Sequence, residues 1–338
     1  DPIKAASLKL SYADERVIHF GMIPRANRCI FVINELPDLQ ARIQVSLFSI
    51  LEEKEIQIRG FKLRIPLDLQ FIFTANPEDY TNRGSIVTPL KDRIGSQIIT
   101  HYPHTLSIAK KITKQESDII QSSVYIPELA HDLIEEINFA ARKSEYVDFK
   151  SGVSARMSIT AFENLVSTAK RRMLINNEEK TSIRLSDFTG IIPAINGKIE
   201  LVYEGEEQGA DQISFNLINE GVKTIFLRFF PEISKLEKPN EVTPYDKILS
   251  WFVENGTELF IGDEFTNKEY QDSLDEIKPL NELVKKYCKE INNEDVAFIK
   301  EVLLWGLSSF KKLSKNRMLD GIEFKDSLGS YLKNLNSD

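Results

Sequence analysis

Two apolar runs early in the chain have the length and spacing of buried strands. Residues 29–33 read CIFVI and end at Asn34 and Glu35, and residues 69–75 read LQFIFTA and end at Asn76. Near-continuous apolar runs predict strands covered on both faces of a parallel sheet, with Cys29 as a small core residue. Because the carboxyl ends of parallel strands border the ligand crevice of such sheets, the polar residues that follow them are candidates for function.

The segment between these runs predicts a helix and a hairpin. Asp38 is a candidate N-cap for the helix. The helix has one apolar face, formed by Leu39, Ile43, Leu47, Ile50 and Leu51. Apolar positions 56, 58, 61, 63 and 65 then alternate with polar ones about a turn near Gly60, which predicts two antiparallel strands.

From about residue 105 the pattern becomes helical. The predicted helices cover residues 105–116, 128–143, 155–174, 186–203, 245–254, 278–291 and 294–313, with a charged break at 205–209. Ser154 is a candidate N-cap for the third of them. The sequence therefore predicts an α/β core at 1–104, a helical domain at 105–205 and a mostly helical region of unknown role at 206–338.

Composition narrows the class of protein. The 338 residues carry a net charge of −8, which argues against a broad nucleic-acid interface. Cys29 and Cys288 are far apart and outside any Cys-x-x-Cys pair, so a cytoplasmic protein without disulfides is expected. No apolar run approaches the roughly 18 residues that a membrane span needs, and no signal peptide is visible.

The strand ends supply the first candidate site residues. A carboxylate such as Glu35 at the mouth of a buried strand is costly unless it has a function or a partner. It could orient an attacking water as general base, with Asn34 serving a metal shell, or the pair could simply cap the next helix. Asn76 could contact a phosphate or the attacking water, or could form a turn before Pro77.

Three arginines are the remaining candidates. Arg93, in the segment PLKDRIG, could reach the phosphate of a neighbouring subunit or could be a solvated surface residue. Arg83 is a second residue of this kind. Arg156 opens a predicted helix, whose N-terminus attracts anions, although a surface arginine is an equally good interpretation. No carboxylate or thiol is evident close to His101 and His104 in the sequence, so no metal site is predicted there.

The order of these segments resembles that of AAA+ ATPases of the magnesium-chelatase and MoxR-like group. The segment CIFVINELPDLQARIQVSLFSILEEKEIQIRG is similar to a Walker B strand with its helix and hairpin, and FIFTANPEDYTNRG to a sensor 1 strand. PLKDRIGSQI and SGVSARMS resemble the arginine-finger and sensor 2 segments. The resemblance covers roughly residues 15–205. It implies part of a P-loop NTPase α/β domain with a parallel sheet, followed by a helical lid at 105–205.

The same resemblance implies binding of ATP and Mg²⁺ in a ring of copies of the chain, often six. Glu35 would then be catalytic, Asn34 would lie beside the metal, and Asn76 would be sensor 1. Arg93 would be the finger that acts on a neighbouring subunit, and Arg156 would be sensor 2. Arg83 would be a further contact to the nucleotide.

Two departures from this group qualify the expectation. The Walker B pair is usually Asp-Glu, and the neutral Asn34 predicts slower hydrolysis or weaker Mg²⁺ binding. No Gly-x-x-x-x-Gly-Lys-Ser/Thr loop occurs in the chain, and without its backbone amides and lysine, phosphate binding loses its main anchor. Such a loop is expected upstream of Asp1, and residues 1–338 alone are expected to bind ATP poorly.

Four functions remain open. The leading prediction is an ATP-driven machine that remodels an unidentified client protein. The alternatives are a motor subunit of a metal chelatase and an ATP-binding scaffold that does not hydrolyse, which Asn34 would suit. An enhancer-binding transcription activator ranks lowest, because the hairpin at 56–65 lacks an extended loop tip and no helix-turn-helix is evident.

Overall fold

The computed structural model describes residues 2–11, 14–57, 64–76, 85–119, 123–149, 151–236, 243–255 and 258–327. The chain divides into two compact units, Asp1–His101 and Tyr102–Asp338. The first is α/β and the second mostly helical, which confirms the predicted fold class. No helix in the described ranges combines the length and apolar character that a membrane crossing requires.

The first unit is built on a parallel pair of strands. Its elements are α1 (Pro2–Leu8), α2 (Met22–Arg25), β1 (Cys29–Ile33), α3 (Ala41–Ser46), α4 (Phe48–Glu53), β2 (Glu55–Gln57), β3 (Arg64–Pro66), β4 (Leu69–Phe73) and α5 (Thr88–Arg93). Strand β1 pairs with β4 so that Cys29 lies opposite Leu69 and Ile33 opposite Phe73. Strands β2 and β3 pair antiparallel, and the predicted turn near Gly60 lies outside the described residues. The predicted order of strand, helix, hairpin and strand is confirmed.

The strands are covered on one face only within the described residues, so the prediction of two covered faces is wrong. Phe71 and Phe73 pack on a small core around Leu47 and Ile50. On the opposite face Ile30 is 63% exposed, Val32 51% and Ile72 45%, and Cys29 is exposed rather than buried. A continuous apolar run in the sequence indicates that both faces of the strand are hydrophobic. It does not indicate whether other residues pack against each face.

The helix between the strands also differs from the prediction. A short 3₁₀ helix, Leu36–Asp38, comes first, so Asp38 ends that turn and is not an N-cap. Gln40 is at the N-cap position of α3, and the chain then bends at Leu47 into α4. Ile43, assigned to the apolar face, is 43% exposed.

The second unit contains the long helices. Its helices are α6 (Leu106–Glu116), α7 (Glu128–Lys143), α8 (Arg156–Ile175), α9 (Ile192–Asn196), α10 (Tyr203–Gln208), α11 (Ala210–Phe229), α12 (Ile233–Leu236), α13 (Asp246–Asn255), α14 (Asn267–Asp275), α15 (Lys278–Tyr287) and α16 (Val296–Ser309). Its strands are β5 (Val124–Tyr125), β6 (Thr181–Ser182), β7 (Leu259–Gly262), β8 (Leu313–Arg317) and β9 (Gly321–Asp326). Helices α6, α7 and α8 begin and end within one residue of their predicted limits.

Three predictions for this unit are wrong. The helix expected at 186–203 is a 3₁₀ turn, Ser186–Ile191, followed by the short α9, which Pro193 helps to start. The expected charged break at 205–209 is largely helix α10. The last predicted helix ends at Ser309, and β8 and β9 join β7 in an antiparallel sheet of order β7-β9-β8.

One hydrophobic core runs through the whole of the second unit, from Ala130 to Phe324. A buried polar network reinforces it. The ion pair of Arg172 with Asp187 is 2.9 Å long and almost fully buried. Glu301, on α16, accepts hydrogen bonds from the backbone N–H of Leu185 at 2.9 Å and from the Tyr270 hydroxyl at 2.8 Å. Residues 105–205 and 206–338 therefore share a core, and the three-domain division stays a prediction.

Candidate functional site

Thr74 ties the ends of the two parallel strands together. Its backbone N–H donates to the carbonyl of Ile33 at 3.0 Å, and its carbonyl accepts from the N–H of Leu36 at 2.9 Å. Its Oγ1 accepts from the N–H of Glu35 at 3.0 Å and lies 3.4 Å from Asn34 Oδ1. The backbone at Asn34 and Glu35 is thereby fixed to the neighbouring strand.

Glu35 has an unusual backbone conformation for a residue with a side chain. Its φ is 50° and its ψ 59°, in the left-handed region, which costs free energy for any residue other than glycine. The bonds to Thr74 on one side and the fully buried Leu36 on the other hold it there. Its side chain is exposed, as a group that must contact water requires.

Asn34 and Asn76 lie at the same edge of the sheet as Glu35. Both asparagines are exposed. The 3.4 Å separation between Asn34 Oδ1 and Thr74 Oγ1 is long for a hydrogen bond between oxygens, so the amide remains available to another ligand. Asn76 follows Thr74 by two residues. The structure therefore joins Asn34 and Glu35 to Thr74 at the end of β4, and Asn76 follows two residues beyond that point.

The side-chain oxygen atoms at this edge suit a metal ion that is bound together with the phosphate groups of a ligand. They consist of one carboxylate and two neutral amides. Among the described residues, no group of three or more His, Cys, Asp or Glu side chains could hold a metal ion. Mg²⁺ is commonly bound through one or two protein oxygens together with substrate phosphates and water, and this edge could serve such an ion.

Arg93 lies at the end of α5, with its side chain held by its own unit. Its Nε and Nη2 donate to Glu52 Oε2 at 2.9 and 2.6 Å, and its Nη1 donates to the carbonyl of Pro89 at 2.8 Å. The guanidinium also lies over the ring of Phe48, 4.9 Å from the centroid. All three guanidinium nitrogens are thus occupied, although 28% of the side chain is exposed.

Gln44 fixes the chain that leads into α5. Its side chain is 1% exposed. It donates to the carbonyls of Leu39 at 2.8 Å and Ser85 at 3.1 Å, and it accepts from the N–H of Val87 at 2.9 Å. The start of α5, and with it Arg93, is therefore attached to the helix that follows β1.

Arg156 belongs to the second unit, where it is the first residue of α8. Ser154 is not the N-cap, a position that Ala155 occupies, but its hydroxyl accepts from the N–H of Arg156 at 3.2 Å. The preceding Val153 is held by Tyr102 and Arg142. The Arg156 side chain is exposed, and none of the described residues bonds to it. Arg83 lies outside the described residues.

Sequence reasoning missed Thr74, Gln44 and Glu52. Thr74 lies within an apolar run, and its hydroxyl group was the feature that could have identified it. Gln44 was a single polar residue in a helical segment, and Glu52 was one of several acidic residues near its end. Nothing in the spacing of these residues along the chain identifies the groups that they bond.

The match to a family model falls within the first unit. Residues 9–96 match the family model described as the sigma-54 interaction domain. That family is of AAA+ type, so the match supports an AAA+ ATPase but does not single out the magnesium-chelatase and MoxR-like group. The comparison with curated proteins found no match.

A solved structure described as a "putative ATPase" from Cytophaga hutchinsonii is 21% identical to this chain. The match covers 56% of this chain and 65% of the other, with a TM-score of 0.22. The chain thus spans a little under two thirds of that protein. At this TM-score the match carries no argument about the fold.

Proposed function

We propose that the chain is part of a ring-forming AAA+ ATPase, of the magnesium-chelatase and MoxR-like kind, that couples hydrolysis of Mg-ATP to remodelling of a partner protein. The observation that carries the proposal is the edge at the ends of β1 and β4. There Thr74 holds Asn34 and Glu35 to the neighbouring strand, and Asn76 follows two residues later.

The residues at this edge have distinct roles in the proposal. Glu35 is the only carboxylate among the three residues, and it accepts a proton from the attacking water as general base. Asn34 offers a neutral oxygen to the water shell of Mg²⁺. Asn76 donates its amide N–H to the γ-phosphate or orients the water. Bound Mg-ATP supplies the reactive phosphoanhydride and the charge that neutralises the phosphates.

The arginines serve the phosphates in the same proposal. Arg93 acts on the nucleotide of the next subunit, which requires its guanidinium to exchange Glu52 and Pro89 for phosphate oxygens. Glu52 is 62% exposed, and an ion pair with such a solvated partner contributes about 0–1 kcal/mol, so giving up Glu52 costs little. Arg156 and Arg83 are further phosphate contacts. The lid function of residues 105–205 and the partner-binding role of 206–338 are part of the proposal, as is a cytoplasmic location.

The family match favours a second candidate. The matched model is that of a domain whose name specifies interaction with sigma-54, so a role in activating transcription deserves a direct test. In that case the chain's partner would be a sigma factor. The absence of an extended loop tip in the β2–β3 hairpin was the reason for ranking this role lowest. The turn of that hairpin lies outside the described residues. A pull-down with sigma-54 and ATPase stimulation by it would distinguish this candidate from one with a different client.

Steady-state ATPase measurements on the full-length protein test the leading proposal. Glu35→Gln should abolish turnover and preserve ATP binding, because it removes the base but keeps the shape of the side chain. Glu53, an exposed glutamate on α4, provides the matched control. Glu53→Gln should leave turnover and ATP binding unchanged. Near-normal turnover of Glu35→Gln would show that β1 is not the Walker B strand. Loss of ATP binding in both variants would instead indicate a folding defect.

A further inference from the structure

A cavity in the second unit ends on a lysine with unusual surroundings. The cavity has a volume of about 820 Å³ and is bordered by α7 and the residues after it, α11, the end of α16 and β8. Its aromatic wall is formed by Phe139, Tyr146 and Phe215. The amides of Gln212, Asn216 and Asn219 line the side formed by α11.

Lys315, on β8, lies among these groups. Its Nζ is 3.4 Å from the ring centroid of Trp305 and 4.8 Å from that of Phe215. The amine donates a hydrogen bond to Asn219 Oδ1. None of the described carboxylates forms an ion pair with it. The amine is therefore positioned by aromatic rings and a neutral amide, where most lysines have water or a carboxylate.

These surroundings favour the neutral amine. Burial lowers the pKa of Lys315 to about 7. The ring faces act in the opposite direction and favour the ammonium form by up to about thirtyfold. A thirtyfold preference is a little under half, on the pKa scale, of the difference between a pKa of about 7 and the ordinary 10.4, so Lys315 still loses its proton more readily than an ordinary lysine.

The charge of the cavity wall selects among ligands. The titratable groups around Lys315 are Glu136, Lys143, Glu145 and Tyr146 from α7 and the residues after it, Glu220 from α11, and Glu301 from α16, whose charge favours the ammonium. Glu136 is paired with Arg228 and Glu220 with Lys223, and Glu145 is balanced by Lys143, so the wall has no excess positive charge that would attract an anionic ligand. The aromatic wall favours a planar apolar one.

We propose that this cavity is a covalent binding site for uncharged aromatic aldehydes or ketones, with Lys315 as the nucleophile. The Nζ lone pair attacks the carbonyl carbon, the C=O π bond breaks, and the oxygen takes up a proton that the nitrogen loses. The carbinolamine then releases its hydroxyl group with one more proton as water and forms the C=N bond of an imine. The sequence of steps needs no oxidant or reductant, and it is independent of the proposed ATPase function.

Reductive trapping tests the proposal on the 338-residue chain. The protein is incubated at about pH 7.5 with one equivalent of benzaldehyde and cyanoborohydride, and peptide mass spectrometry then locates the benzyl group. We expect Lys315 to be modified at least about tenfold more than exposed lysines such as Lys268 and Lys289, because burial lowers the pKa of Lys315 to about 7, close to the pH of the reaction. Labelling spread evenly over exposed lysines would overturn the proposal.

Two further measurements sharpen the result. The labelling rate of Lys315 should level off below about pH 9, and a rate that rises steadily to pH 10 would contradict a neutral amine. 4-Carboxybenzaldehyde should label Lys315 at least about threefold more slowly than benzaldehyde, and faster labelling would contradict the preference for uncharged ligands. Lys315→Arg should remove the dominant adduct, whereas Lys268→Arg should leave it unchanged.

Discussion

At the scale of single residues, Asn34 sets the chain apart from an Asp-Glu Walker B pair. In the proposed function its side chain offers Mg²⁺ a neutral oxygen, and its neighbour Thr74 does not add a charge. Asn34→Asp should therefore lower the Mg²⁺ concentration that gives half-maximal turnover of the full-length protein, because a carboxylate binds the cation and its water shell more strongly. The measurement is ATPase rate against Mg²⁺ concentration. An unchanged or higher requirement would contradict a role for Asn34 beside the metal.

The candidate residues differ in how far the sequence could reveal them. Asn34, Glu35 and Asn76 were predictable, since each directly follows an apolar run whose parallel pairing places its end at a common edge. The left-handed backbone of Glu35 was not predictable, because it depends on a hydrogen bond from its N–H to the hydroxyl oxygen of Thr74, 39 positions away along the chain. The Arg93–Glu52 pair, 41 positions apart, was hidden for the same reason.

At the scale of elements, helix α5 presents Arg93. Arg93→Ala should leave nucleotide binding nearly intact and lower turnover of the full-length protein by about 10³-fold or more, as expected for an arginine that stabilises transition-state charge. Arg42→Ala, on the exposed side of α3, is the matched control. If Arg93 acts across subunits, rings that mix Arg93→Ala with Glu35→Gln should recover part of the activity. Rings that form normally but stay inactive would contradict action between subunits.

Helix α3 holds the segment that leads into α5 through the buried side-chain amide of Gln44. Gln44→Met keeps the shape of the side chain but leaves the carbonyls of Leu39 and Ser85 and the N–H of Val87 without this partner. Each buried group left unpaired costs about 1–3 kcal/mol, so the first unit should lose stability. Hydrogen exchange of the β1 and β4 amides measures the loss. Gln70→Met, at an exposed position, should change it little, and equal exchange in both variants would contradict the role of Gln44.

The sequence located the helices that bury a single apolar face. It failed for a helix that is buried on several sides and for a sheet whose strands lie far apart along the chain. Helices α6, α7 and α8 have a clear apolar stripe and were located closely. Helix α11 contacts α7, α9 and α16, so its apolar residues lie on several sides and its period is weak. The β7-β9-β8 sheet depends on pairing between Leu259 and Phe324, which no local pattern reveals.

At the scale of the whole molecule, Glu301 makes the stability of the second unit sensitive to pH. Burial raises its pKa from 4.5 to about 7, so between these values the folded state holds a proton that the unfolded state has lost. This contribution to the free energy of unfolding is complete below about pH 4.5 and is lost as the pH rises to about 7. At 1.36 kcal/mol per pKa unit, the loss is about 3 kcal/mol.

Comparison with Glu301→Gln isolates this contribution. His131 acts in the opposite direction, because burial lowers its pKa to about 4 and its effect raises stability as the pH increases. Its effect cancels when the free energy of unfolding of the variant is subtracted from that of the wild type. Urea denaturation, followed by tryptophan fluorescence, should give a difference that falls between about pH 4.5 and 7. A difference for Glu301→Gln that does not change with pH would contradict the assignment. Glu290→Gln is the control, and its difference from the wild type should stay constant over this range.

The core shared by residues 130–324 also constrains how this chain can be rearranged in evolution. An exchange of gene segments that joins new sequence near residue 205 separates Leu185 from Glu301 and removes one of the two hydrogen bonds that this buried side chain accepts. An exchange near residue 101 keeps the bond between Leu185 and Glu301 inside one inherited piece. If the chain acts on a client protein as proposed, new client specificity is expected to arrive either as the whole of residues 102–338 or by point substitution on its surface.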